Sequence, residues 1–146
     1  MDGIVKLLDE KLDYVSHEIK ENEILIQVKS NRQKVICPYC QNLSSKEHSR
    51  YPRRFQDLPI QGKKVIMIIE NRKMFCTNTS CNRTTFAESF PFLSRKSRRT
   101  ERLENEILSM SLNCSSVAAA RHLSKNVVDI GKTTICKLLK KQRINK

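Results

Sequence analysis

Apolar positions recur at helical spacing at the start of the chain, cluster at strand spacing through its middle, and return to helical spacing near its end. Ile4, Leu7, Leu8 and Leu12 fall on one stripe and predict a short helix over residues 4–12. Tyr14–Ile19 and Ile24–Val28 are rich in strand formers and flank the polar residues 20–23, the pattern of a β-hairpin. The chain turns polar through Ser44–Arg54. After the turn signal Gln61-Gly62, the run Val65, Ile66, Met67, Ile68, Ile69 predicts a buried strand over Lys63–Ile69 that leads towards Cys76. The last third predicts three helices. The first runs from about Ser97 to Leu112 with Leu103, Ile107, Leu108 and Ser111 on one face, and the second covers Val117–Leu123 after the cap pair Ser115-Ser116. In the second, Ala118, Ala119 and Ala120 permit close helix approach. The third covers Lys132–Gln142 with Ile135, Leu138 and Leu139 facing inward. The pattern is therefore α+β, with a small β-rich unit carrying an N-terminal helix and hairpin over residues 1–93 and an all-α unit over 94–146.

Length and composition favour this division. In a chain of 146 residues, 5% aromatic residues and no Trp argue against one large aromatic core, and small units often need a metal to complete their stability. Charge is graded along the chain. Residues 1–36 hold 6 basic and 7 acidic side chains, residues 37–93 hold 9 and 4, and residues 94–146 hold 13 and 4. An excess of cations concentrated in the last third points to a polyanion such as nucleic acid, although a merely solvated basic face has the same composition. No apolar run approaches the roughly 18 residues that span a bilayer, and the N-terminus lacks a signal-peptide pattern, so a cytoplasmic protein without a membrane partner is expected.

In a reducing compartment, close cysteine pairs serve metal or redox chemistry more often than disulfides. Cys37 and Cys40 form a C-x2-C pair, Cys76 and Cys81 a C-x4-C pair, and the 35 residues between the pairs exceed the usual zinc-ribbon loop, so the segment Ser44–Ile69 must form strands of its own. Two such pairs on tight turns supply the four thiolates of a tetrahedral site, and soft ligands select zinc over magnesium or calcium; iron takes the same ligand set. One structural Zn2+ is expected. A thioredoxin-type use of Cys37 and Cys40 would require a βαβ setting, whereas here the pair follows a hairpin and has a second pair downstream. Cys114 and Cys136 have no close partner and are assigned to packing. His48 lies near the first pair, but four cysteines already close a structural site.

The last two helices have the order of a helix-turn-helix, in which the second helix enters the major groove. Lys132, Thr133, Thr134, Lys137 and Lys141 are its outward candidates, combining hydroxyl and methyl groups suited to base edges with ammonium groups suited to guanine or phosphate. Gly131 would cap it. The linker Ser124–Ile130 is longer than the usual turn. Arg95, Lys96, Arg98 and Arg99, with Arg102, form a basic stretch that reads either as a flexible arm along the DNA or as a solvated linker.

The order CPYC, HSRYPRRFQDLPIQGKKV, RKMFCTNTSCNRTTFAE, SSVAAARHL and IGKTTICKLLKK resembles the N-terminal half of bacterial transposases of the insertion-sequence L-three (ISL-three) family. That resemblance implies a zinc ribbon joined to a helix-turn-helix that binds the terminal inverted repeats of a mobile element, in the bacterial nucleoid. Members of that family continue into a DDE catalytic domain, and this chain ends at Lys146 where that domain should begin, so the expectation is a double-stranded DNA binder that is not an enzyme and has no small-molecule substrate. Homodimerisation or pairing with a full-length transposase would suit paired element ends. The competing classes are a zinc-ribbon adaptor for a protein or structured RNA, and a thiol redox enzyme.

Overall fold

The computed structural model describes residues 1–112, 116–126 and 132–144. Its elements are α1 (Asp2–Leu8), β1 (Leu12–Ile19), β2 (Glu23–Ser30), β3 (Val35–Ile36), β4 (Leu43–Ser44), β5 (Glu47–Ile60), β6 (Lys63–Phe75), β7 (Thr85–Ala87), α2 (Glu101–Ser111), α3 (Ser116–Asn126) and α4 (Lys132–Ile144). The main sheet has the order β1-β2-β6-β5, with β7 added on β6, while β3 and β4 form a separate two-stranded ribbon. The predicted hairpin is present as β1 against β2. β2 and β6 run parallel, because the chain passes through β3, β4 and β5 before it returns beside β2.

The β-branched run of β6 makes it a central strand, with Val65, Met67 and Ile69 buried on one face. They pack with Ile24, Ile26 and Val28 of β2, Phe55 of β5, Leu12, and Val5 of α1. Phe90, Phe92 and Leu93, which follow β7, complete this core, with the Phe55 and Phe92 rings 5.8 Å apart. Gln61 and Gly62 join β5 to β6 in a two-residue turn with both φ angles positive (49° and 75°), the geometry that matches strand twist in a tight hairpin.

Two details differ from the sequence expectations, and a third bears one out. The first helix ends at Leu8, Leu12 begins β1, and the buried residue is Val5, while Leu7 is 80% exposed; seven residues give too few turns for the predicted stripe. Ser44–Ile69 does form strands of its own, the polar stretch Ser44–Arg54 contributing most of its length to β5, whose first half lies exposed at the sheet edge and so carries polar side chains. The first helix of the last third starts at Glu101, because Thr100 caps it through its side chain. The residues before it are not a free arm. Gln56 donates to the Arg98 carbonyl (2.8 Å) and accepts from Thr100 N (3.0 Å), so residues 98–100 lie along the β5 edge.

Leu103 and Ile107 of α2, Ala119 of α3 and Ile135 of α4 form a second buried cluster, with Leu138, Leu139 and also Leu58 of β5 against it. The predicted inward faces of α2 and α4 are therefore the buried ones. The cap at Ser115, Gly131, Cys114 and most of the linker before α4 lie outside the described residues.

Candidate metal centre and basic surface

The metal site is built from two turns brought together by the sheet. Cys37 ends the β3 side of the small ribbon: its N–H donates to the Asn42 carbonyl (2.9 Å) and its carbonyl accepts from Gln41 N (2.8 Å). Gln41 takes a φ of 64°, closing the turn that swings Cys40 back beside Cys37. β6 delivers the second pair. Cys76 N donates to the Thr84 carbonyl (2.8 Å) and Cys81 N to the Asn78 carbonyl (3.1 Å), so the segment between them loops tightly and returns as β7. Val35, Cys37, Met74 and Phe86 make a small apolar floor under the four sulfurs.

The four Sγ atoms lie within 4.8 Å of one another. Cys37 and Cys81 are 3.9 Å apart and Cys40 and Cys76 3.5 Å, which brackets the roughly 3.8 Å edge of a tetrahedron with Zn–S bonds of about 2.3 Å. These separations are far beyond the ~2.05 Å of a disulfide. Without a metal the thiols are in conflict. The Asn42 backbone N–H, followed by the Asn78 side chain, holds Cys40 down at about 6. Cys76 stands at about 12, since burial and the neighbouring sulfurs together outweigh the Asn78 backbone N–H that favours its thiolate. A divalent cation among them lets all four be thiolates at once. His48 is not part of the cluster; it bonds Ser49 Oγ (2.8 Å) and meets the Phe75 ring edge-on.

Residues 33–81 match a family model described as the zinc-finger of transposase IS204/IS1001/IS1096/IS1165. The match contains both cysteine pairs. No curated protein and no solved structure matches the chain. The ribbon of this chain is thus similar to a transposase zinc ribbon, and its four cysteines form the site of one structural Zn2+.

The basic candidates fall in two places. On α4, Lys132, Thr133, Lys137 and Lys141 are exposed and Thr134 is half-buried, while Ile135 is fully buried on the opposite side. In the 94–100 segment, Arg95, Lys96 and Arg98 are exposed, but Arg99 is turned towards Glu104 of α2 (3.8 Å). Arg102 is likewise withdrawn, paired with the buried Asp57.

Residues that the sequence did not single out join this surface. Arg83 sits over the Tyr39 ring, 5.0 Å from its centroid, and Arg95 Nη2 donates to the Tyr39 hydroxyl (3.3 Å). An aromatic residue between paired cysteines was the available signal for Tyr39. Arg54, on the β5 edge, had none beyond its charge. Among the described residues no helix is long and apolar enough to cross a membrane.

Proposed function

We propose that this chain binds double-stranded DNA sequence-selectively at the ends of a mobile element, acting by recognition and without strand-transfer activity of its own. The observation that carries this reading is the match of residues 33–81 to a transposase zinc ribbon in a chain with a net charge of +13. The packing of α3 against α4 supports a helix-turn-helix. Ala119 and Ile135 share one buried cluster, and α4 turns Lys132, Thr133, Lys137 and Lys141 to solvent, as a recognition helix requires. The intended setting is the bacterial cytoplasm, where the element's own transposase would supply the chemistry.

The experiment is selection of bound duplexes from a random pool by the zinc-loaded protein. A shared sequence motif is expected among the selected duplexes. Lys132→Ala with Lys137→Ala should lower the preference for that motif by about 1–3 kcal/mol per lost base contact. A pool that emerges without any common motif would overturn the reading, and unchanged preference in the double variant would remove α4 from it.

A further inference from the structure

Two shallow grooves flank the 94–98 segment where it meets β5. One, of about 520 Å3, is lined by Arg54, Gln56, Lys96 and Arg98; the other, of about 410 Å3, by Tyr39, Tyr51 and Arg95. Arg53 and Lys96 line both, so the two are continuous. Their sides come from different parts of the chain: the edge strand, the first cysteine turn, the 94–98 segment and, in the second groove, the end of β7 and the residues after it.

The positive groups here are held rather than trailing. Ser97 N donates to the Ser94 carbonyl (2.9 Å), forming a turn with Arg95 and Lys96 at its tip. Arg53, itself half-buried, anchors that turn by donating from Nη2 to the Ser94 and Ser97 carbonyls (2.9 and 3.1 Å). Lys96 is kept at a φ of 66°, a conformation that costs a side-chain-bearing residue energy and persists where surrounding bonds impose it. The bridge between Gln56 and Arg99 then fixes Arg98 beside the strand. Among the described residues the one acid in the lining of either groove is Glu88, in the second, and its carboxylate is fully buried and bonded to Arg72. Nothing there offsets the cations.

We infer that the β5 edge and the 94–98 turn form a preformed seat for the sugar-phosphate backbone of a duplex, with Arg54, Lys96 and Arg98 as its phosphate contacts. This deepens the DNA-binding reading above and rests on it. It adds a sequence-independent site at the ribbon, separate from α4, and replaces a floating basic arm with a fixed one. A duplex fits better than a single strand, which is gripped by stacking bases on open aromatic faces. Tyr39 already has Arg83 over its ring and Arg95 on its hydroxyl, so it serves to position those two guanidinium groups. Tyr51 is exposed, and its hydroxyl suits a phosphate oxygen.

The test is the salt dependence of binding to a mixed-sequence duplex by the zinc-loaded protein, compared with a variant carrying Arg54→Gln, Lys96→Gln and Arg98→Gln. All three side chains are exposed, and zinc content and thermal midpoint verify that the variant is folded. Loss of three phosphate contacts should flatten the slope of log affinity against log salt by about 2.7. Selected and mixed sequences should weaken by the same factor. An unchanged slope in the variant overturns the seat while leaving recognition by α4 intact. Tighter binding of a single strand than of the duplex by the unaltered protein also overturns it. Duplex binding that is lost in the variant, but shows no sequence preference in the unaltered protein, supports the seat and overturns α4 recognition.

Discussion

Glu88 shows how a single side chain can hold several elements. Its carboxylate is fully buried and accepts from Arg72 Nε (2.9 Å) and Nη2 (3.0 Å) and from Ser30 Oγ (2.7 Å). Arg72 also donates to the Arg32 carbonyl (2.8 Å), and Arg32 reaches Asp9 (2.9 Å), so the end of β2, β6, the residue after β7 and the start of the chain meet at one ion pair. A buried pair of this kind adds little over a well-packed apolar alternative, but removing one partner strands the other charge. Glu88→Ala should therefore destabilise the fold by about 3–5 kcal/mol, read as a lowered denaturation midpoint. Glu88→Gln, which keeps acceptors in place, should cost less. Equal midpoints for Glu88→Ala and the unaltered protein would show that Arg72 finds water or another partner. Nothing in the residue pattern pointed to Glu88, because Ser30 and Arg72 reach it only through the folded sheet.

At the scale of elements, the stretch Gln56-Asp57-Leu58-Pro59 joins the sheet to the helices. Asp57 is 3% exposed and accepts from Thr100 Oγ1 (2.8 Å) and from Arg102 Nε (2.8 Å), while its second oxygen takes Arg102 Nη2. Thr100 Oγ1 in turn accepts from Leu103 N as the cap of α2, and Leu58 packs into the helical cluster. Thr100→Ala should cost about 1 kcal/mol, the usual worth of such a cap. Asp57→Ala should do more than that locally, raising amide exchange over residues 98–103 while β6 keeps its protection; exchange confined to the hairpin tip would count against the coupling. The helices were legible because their apolar positions repeat at 3.6 residues. For β5 only the length of the gap between the cysteine pairs called for strands within Ser44–Ile69; its bounds were not legible, since an edge strand buries only part of one face and Glu47–Arg54 is almost wholly exposed. The basic segment before α2 looked like a linker for a related reason: its order comes from backbone bonds to Gln56 and from Arg53, and composition does not record backbone bonds.

At the scale of the whole molecule, the described apolar residues form three clusters, and the metal belongs to the smallest. The four cysteines were readable from spacing alone, since close pairs on tight turns are what a tetrahedral ion needs. What spacing did not reveal is how little of the core they serve. The sheet core of Val5, Leu12, Ile24, Ile26, Phe55, Met67, Phe92 and their neighbours contains none of them, whereas Val35, Met74 and Phe86 pack with all four. Binding energy at a structural zinc is folding energy for whatever the ion ties together. Here it ties the β3–β4 ribbon to the end of β6 and to β7. Removing zinc with a chelator, or substituting Cys37→Ser, should therefore unravel residues 35–46 and 76–87 and leave the sheet core and the helices standing. Hydrogen exchange would show this as lost protection at Val35, Cys37, Cys76 and Phe86 with protection retained at Ile26, Met67 and Ile107, reversed by adding zinc to the chelated protein but not to the variant. A single cooperative collapse of all three clusters on chelation would mean that the sheet depends on the ion after all. Full protection without metal would mean that the apolar floor under the sulfurs suffices. Between these extremes, graded loss is what a small metal-stapled end on a self-sufficient sheet requires, and it would carry Tyr39, with the guanidinium groups it positions, out of place.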